Sequence, residues 1–365
     1  MKRQSSGTSL CVSIFVAGLI ISHATGLRTS RSAAAPANQT LNPQTSNATR
    51  LGIFSVAARQ PATGNEPAKL ISSGSILDGN GPISFPQKII SGPARTLYLL
   101  DVELSNIFLV NSTTRAVNAL CSPRLPVRPS DASVDNSGNV WILDQPGRQV
   151  ASFDKQCHSR TSFTPRNPAT GVQLNAFGEV VLVTPNAQTL FDVYSPDGKF
   201  LRSFGQAFDY KDQFANIELN SGHLLADPVG GFYFSFIYPP LVRHYARDGR
   251  LLAEFKPELD VAIQRPQIMS HLQGVSLTIS SKYQIGVLDV ALDGRGRLVL
   301  LLSGETKYQA LHNGSRNLAV TNGRGQILAK YEVDSGPFNR LTAGNGLLYL
   351  LRNRGPLRLD KFALR

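Results

Sequence analysis

The sequence predicts an all-β chain folded as a six-bladed β-propeller. Three observations carry that prediction. A turn holding Asp or Asn, with Gly three residues on and an apolar strand behind it, recurs at Asp135–Gly138, Asn175–Gly178, Asp227–Gly230 and Asp293–Gly296. A second hairpin follows, turning at Asp197-Gly198, at Asp248-Gly249 and at Asn322-Gly323-Arg324-Gly325. The repeats phase on Thr96, Gly138, Gly178, Gly230, Gly296 and Gly346, about 40–66 residues apart, which is one four-stranded blade each with room for insertions.

Taken in order, the chain opens on Lys2 and Arg3, an apolar run over residues 10–21 and small residues up to Ala24. That is the layout of a secretory signal peptide covering residues 1–24, with cleavage after Ala24. The run is shorter than the about 20 residues that cross a bilayer. No later segment is longer, so no membrane span is expected and the chain is placed in the secreted or periplasmic space. Residues 25–50 are Ala, Ser, Thr, Asn and Pro with few large apolar side chains, and read as a flexible linker. The propeller is expected over residues 51–365. Its last repeat lacks a fourth strand, which residues 51–58 are expected to supply, closing the ring and removing two exposed edges. Residues 69–72 are the alternative closure. The longest interval is wide enough to hold a further strand, with residues 275–279 foremost, so seven blades is the alternative count.

The formal net charge is +12, yet the arginines are scattered singly. A nucleic-acid partner would want a concentrated basic stripe, so none is expected. Cys121 and Cys157 are the cysteines left after cleavage. In an exported chain they form either a disulfide between neighbouring repeats or two half-buried thiols, and no Cys-x-x-Cys motif suggests redox chemistry.

Insertions at residues 206–222, 257–284 and 303–317 all fall in loops expected on one face, while the Asp-Gly turns opposite stay short. Long loops on one side of a rigid scaffold commonly carry binding or catalysis. There is no Gly-x-Ser-x-Gly elbow and no P-loop. Asp293-Gly-Arg-Gly-Arg leads from strand to strand, so it reads as a turn with Arg295 and Arg297 solvated. His244 reads as a satisfied sheet residue. His271 and His312 fall in the insertions, and Tyr238-Pro-Pro offers a stacking platform for a sugar or peptide at the end of an aromatic strand.

The phrase Asp-x-x-Gly-x-apolar-x-apolar, followed by aromatic-x-x-Asp-Gly-Lys/Arg-x-Leu, resembles the six-bladed propellers of the NHL and TolB-like superfamily. The resemblance runs from about Pro93 to the C-terminus. It departs from the pattern at Asn175 and Ala343, where the leading Asp is missing. It implies a fold shared by sugar-lactone hydrolases, a peptide-amidating lyase and exported binding proteins. The enzymatic members use a metal, or histidine and carboxylates facing the channel.

Counting four residues back from each Asp-equivalent places Asp131, Gly171, His223, Asp289 and Asn339 at the start of the inner strands, around the channel mouth. Asp131, His223, Asp289 and Asn339 are the expected ligand-binding set. Replacing His223 or Asp289 is expected to weaken binding with little effect on stability. No cofactor is expected. The alternative is a divalent cation such as calcium or zinc, held by Asp131, His223 and Asp289 through oxygen and one nitrogen. The same groups suit acid–base chemistry, with the imidazole moving a proton, or simple contact with channel water. The function expected is an exported binding or scaffold propeller, taking a protein, peptide or glycan on its long-loop face. The alternative is a metal-assisted lactonase- or lyase-type enzyme.

Overall fold

The computed structural model describes residues 67–79, 81–186, 188–259, 262–263, 266, 268–270, 277–279 and 283–364. The expected signal peptide, the linker, the closing segment at residues 51–58 and His271 lie outside them.

Six four-stranded antiparallel blades follow one another, innermost strand first. Blade 1 is Pro86–Ser91, Thr96–Asp101, Asn106–Asn111 and Val117–Ala119, and blade 2 is Asp131–Val134, Val140–Asp144, Gln149–Phe153 and Ser159–Phe163. Blade 3 is Gly171–Leu174, Val180–Val183, Thr189–Tyr194 and Phe200–Gln206, and blade 4 is Gly222–Ala226, Phe232–Phe236, Val242–Tyr245 and Leu251–Phe255. Blade 5 is Val287–Leu292, Leu298–Leu302, Asn317–Thr321 and Ile327–Val333. Blade 6 takes Arg340–Gly344, Leu347–Arg352 and Arg358–Ala363 from the end of the chain. The innermost strands touch in sequence, and that of blade 6 returns to that of blade 1, closing the ring.

The fourth strand of blade 6 is N-terminal, as expected, but it is Ser75–Leu77, with Ser75 opposite Asp360 and Leu77 opposite Leu359. Ile76, between them, is buried in the cluster that joins blades 6 and 1. The alternative closure at residues 69–72 does not serve blade 6 either. Ala68–Leu70 lies parallel on the outer edge of blade 5, with Leu70 opposite Val333. One stretch thus covers two edges, because strand pairing satisfies backbone groups wherever an edge is open. The strand suspected within residues 275–279 is real over Leu277–Ile279. It pairs with Ile268–Ser270 as a separate two-stranded ribbon, not as a seventh blade.

The repeated turn phrase has a local cause. In each turn the leading side chain accepts backbone N–H groups two and four residues on: Asp135 from Ser137 and Asn139, Asn175 from Phe177 and Glu179, Asp293 from Arg295 and Arg297. Asp227 accepts from Val229 in the same way. The Gly then takes a positive φ at no steric cost.

The second strand of blades 2 to 5 is buried residue after residue, as in Val140–Asp144, Val180–Val183, Phe232–Phe236 and Leu298–Leu302. A strand packed on both sides by neighbouring blades needs an apolar run rather than alternation. Between blades 3 and 4, Phe191 packs on Phe204, Phe234 and Tyr245 with ring centroids 4.9, 5.0 and 5.6 Å apart.

Cys121 and Cys157 form a disulfide, and its place in the repeat explains it. Gly198, Gly249 and Gly325 sit in the outer turns of blades 3, 4 and 5, against Phe163, Phe204 and Phe255 at the end of the preceding blade's outer strand. Cys157 occupies the corresponding place in blade 2, with φ +67° against +84°, +93° and +81° at the glycines. Its partner follows the outer strand of blade 1. Between blades 1 and 2, a covalent link thus replaces the aromatic-on-glycine contact that joins the later blades.

Candidate functional site

The innermost strands leave a cavity of about 450 Å³ on the propeller axis, within the usual range for small-molecule sites. Strand register decides which residues ring it. Asp131 lies opposite Leu143, Gly171 opposite Val183, His223 opposite Ser235, and Asp289 opposite Leu301, each partner five residues after the phased Gly. By the same rule the blade 6 position is Arg340, opposite Leu351. The blade 1 equivalent is Lys88, opposite Leu100. Lys88, Asp131, Gly171, His223, Asp289 and Arg340 all line the cavity, one from each blade.

Asn339 is not in the ring. It is 2 % exposed; its side-chain amide donates to the Leu311 carbonyl at 3.0 Å, and its side-chain oxygen faces the Asn353 N–H. The turn of blade 6 is the cause. Asn345 and Gly346, at φ +54° and +75°, make a two-residue hairpin between Gly344 and Leu347, one residue shorter than the turns of blades 2 to 5. Counting back with the longer turn therefore lands one residue early, and such a slip exchanges the faces of a strand. Lys88 escaped notice because blade 1 carries no Asp-x-x-Gly phrase to count from.

The ring is tied across blades. Lys88 Nζ pairs with Asp131 Oδ1 at 2.7 Å, and Asp131 Oδ2 accepts the Val172 N–H at 2.8 Å, so one carboxylate joins blades 1, 2 and 3. Asp289 does the same for blades 4, 5 and 6: Oδ2 accepts the Leu341 N–H at 2.8 Å, and Oδ1 lies 3.3 Å from His223 Nδ1. Arg340 donates from Nε to the Gln87 carbonyl and from Nη1 to the Asn339 carbonyl, at 2.6 and 2.9 Å. His223 Nε2 is enclosed and has no hydrogen-bond partner among the described residues. Burial pushes the His223 pKa below its ordinary value, and the Arg340 and Lys88 charges add to that against the opposing pull of Asp289. The imidazole is therefore neutral at pH 7.

The insertions meet at the end where these strands begin. Helix α1 (Gln213–Leu219) comes from residues 206–222 and helix α2 (Lys307–Asn313) from residues 303–317. Glu218 of α1 pairs with Lys307 of α2 and accepts the Tyr283 hydroxyl at 2.8 Å, while α2 holds Asn339 through Leu311. Tyr238 is no exposed platform. It is 8 % exposed and packs edge-on against Tyr283, since the insertions bury it. The exposed aromatic there is Tyr308, against which His312 stacks at 3.9 Å. His244 is held by Asp227 at 2.8 Å and stacks on Tyr233. Arg297 is paired with Asp293 rather than solvated.

Among the described residues, no three His, Cys, Asp or Glu side chains come together to hold a metal ion. Asp131 and Asp289 are turned toward Lys88, backbone amides and His223. No described helix is long and apolar enough to cross a membrane.

No family model matches this sequence, and no curated protein does. Solved structures do. A gluconolactonase from Xanthomonas campestris superposes with a TM-score of 0.52 at 13 % identity, over 83 % of this chain and 98 % of that one. A calcium-binding regucalcin from Agrobacterium tumefaciens gives 0.50 at 11 %, over 82 % and 97 %. What is shared is the six-bladed propeller. A catalytically inactive virginiamycin B lyase from Staphylococcus aureus gives 0.49 at 11 %, over 80 % and 99 %. At these identities the likeness extends to the fold alone.

Proposed function

We propose that this chain is an exported ligand-binding propeller. Its axial cavity holds a small polar group, free or carried on a peptide, protein or glycan, with the insertions beside the mouth. The observation that carries the reading is the ring itself. Five of six equivalent positions bear a charged or ionisable side chain on one cavity, where apolar residues would pack the axis at lower cost. The Cys121–Cys157 disulfide supports export, since such bonds persist in oxidising compartments, and so does the leader-like layout of residues 1–24.

Peptide and glycan arrays probed with the full chain test this, beside Arg340→Gln and His223→Asn. Array hits that both substitutions weaken tenfold or more are expected. Arrays without a hit together with no binding of free amino acids or sugars in titration, or hits indifferent to both substitutions, would overturn the reading.

A second reading rests on His223. Its Nδ1 lies against Asp289, and its enclosed Nε2 is unpaired in a neutral ring, the arrangement of a carboxylate-oriented base. Asp289 would fix the tautomer, and Nε2, once a small shift of the ring opens it to the cavity, would take a proton from a bound substrate. Turnover of a lactone or ester substrate that His223→Asn abolishes, with binding retained, would favour this over binding alone.

A further inference from the structure

Which charges of the ring are already compensated decides what it can hold. Lys88 and Asp131 neutralise each other at 2.7 Å. Arg340 meets only the carbonyls of Gln87 and Asn339, through Nε and Nη1, and takes part in no ion pair of the described residues. Asp289 meets the amides of Leu341 and Val290 and the His223 ring, and no Lys or Arg among the described residues. The ring therefore carries one cation and one carboxylate without a charged partner of opposite sign, on the adjacent inner strands of blades 6 and 5.

The two are turned apart by their own hydrogen bonds. Arg340 reaches toward blade 1 through Gln87, while Asp289 lies against His223 of blade 4. The cavity is thus neutral in sum and polarised in space: a donor end at Arg340 and an acceptor end at Asp289. A ligand with one net charge would leave one end uncompensated, and partial dehydration makes that costly. A small ligand that carries both charges compensates both ends, and a guanidinium suits a carboxylate better than any other group.

We infer that the group held in this ring is a zwitterion of the α-amino-acid kind, a free amino acid or short peptide, with its carboxylate on Arg340 and its ammonium on Asp289. This rests on the binding reading above. Gly171, the ring position without a side chain, leaves blade 3 free of any competing charge, and about 450 Å³ admits a single residue or a dipeptide.

The test is isothermal titration of the full chain with the twenty protein L-amino acids and with Gly-Gly. The best binder is then repeated as its N-acetyl derivative, as its carboxamide, and beside glucose and N-acetylglucosamine. One or more zwitterions bind, and blocking either charge lowers affinity at least tenfold. Arg340→Gln weakens the zwitterion tenfold or more while leaving the carboxamide's weak binding unchanged. Asp289→Asn, which keeps an acceptor for Leu341, does the same with respect to the N-acetyl derivative. A blocked derivative that binds as well as the parent overturns the inference, as does binding of the neutral sugars alone. If none of these probes binds while an array ligand does, the zwitterion is wrong and the binding reading stands. Should a variant fail to fold, the blocked derivatives on the unaltered protein decide alone.

Discussion

Replacing Glu179 with Gln should cost stability at pH 7 and progressively less toward pH 3.5. Glu179 follows the inner turn of blade 3. It accepts from Arg202 Nη1 and Nη2 at 3.2 and 3.0 Å, from Arg247 Nη2 of blade 4 at 3.0 Å, and from Asn175 at 2.6 Å. Arg247 is held in turn over the Phe177 ring at 3.9 Å. Burial disfavours the ionised carboxyl, but the hydrogen bonds from Arg202, Arg247 and Asn175 outweigh it and hold the pKa at about 2, against an ordinary 4.5.

The sign follows from linkage. The depressed folded value contributes stability that is present above the unfolded pKa of 4.5 and lost as pH falls toward about 2. At 1.36 kcal/mol per unit the whole contribution is at most about 3 kcal/mol at pH 7, of which roughly 1.4 kcal/mol is gone at pH 3.5. Urea denaturation of both proteins at the two pH values isolates the effect, because every other carboxyl is common to both. The gap between them should narrow by about 1.4 kcal/mol. A gap that stays constant with pH would show that Glu179 acts by packing or neutral hydrogen bonding, and the account of the blade 3–4 link would be wrong.

Other outcomes follow from the same structure. Replacing Cys121 and Cys157 together with Ser should lower unfolding free energy by roughly 3–4 kcal/mol by releasing the loop between them; a melting temperature unchanged by the pair would contradict it. Ile76→Ala should cost about 2–4 kcal/mol, since Ile76 is 5 % exposed on the closing strand of blade 6; a denaturation midpoint equal to the parent's would show that the closure carries no stability. The His223 pKa is depressed by burial, so below an unfolded value of about 6.5 the unfolded chain takes up a proton that the folded chain resists. Stability should therefore fall as pH drops from about 6.5, and His223→Asn should flatten that part of the profile in melting curves at pH 5 and 7.5.

The blade count was legible because it rests on local chemistry: each Asp or Asn caps its own turn, whatever the rest of the chain does. Asp131, His223 and Asp289 were legible for the same reason, each at a fixed distance from such a turn. Arg340 was not, because a two-residue Asn345-Gly346 hairpin shortens the count by one and only pairing with Leu351 reveals it. Nor was Ser75–Leu77 as the closing strand. Three residues with one buried side chain give no periodic signal, and their place is set by the open edge of Arg358–Ala363 far along the chain. The disulfide stood as one of two alternatives until the turn of blade 2 placed Cys157 where later blades carry Gly.

The ring makes one early expectation untenable: that Asp289 can be removed with little effect on stability. Asp131 and Asp289 each fasten three blades, so together they span the whole propeller. Asp289→Ala strips a buried Leu341 N–H of its acceptor, which costs about 1–3 kcal/mol. A purely structural ring would account for those two carboxylates and for Lys88. It does not account for Arg340, whose bonds go to two backbone carbonyls and whose charge meets no carboxylate among the described residues. Arg340→Gln is thus the substitution that separates fastening from recognition. It keeps a donor for Gln87 and removes the charge together with the single Nη1 bond to the Asn339 carbonyl, so lost ligand binding at unchanged melting temperature assigns that charge to recognition. Lost stability of the size expected for Asp289→Ala would assign it to the ring's own cohesion.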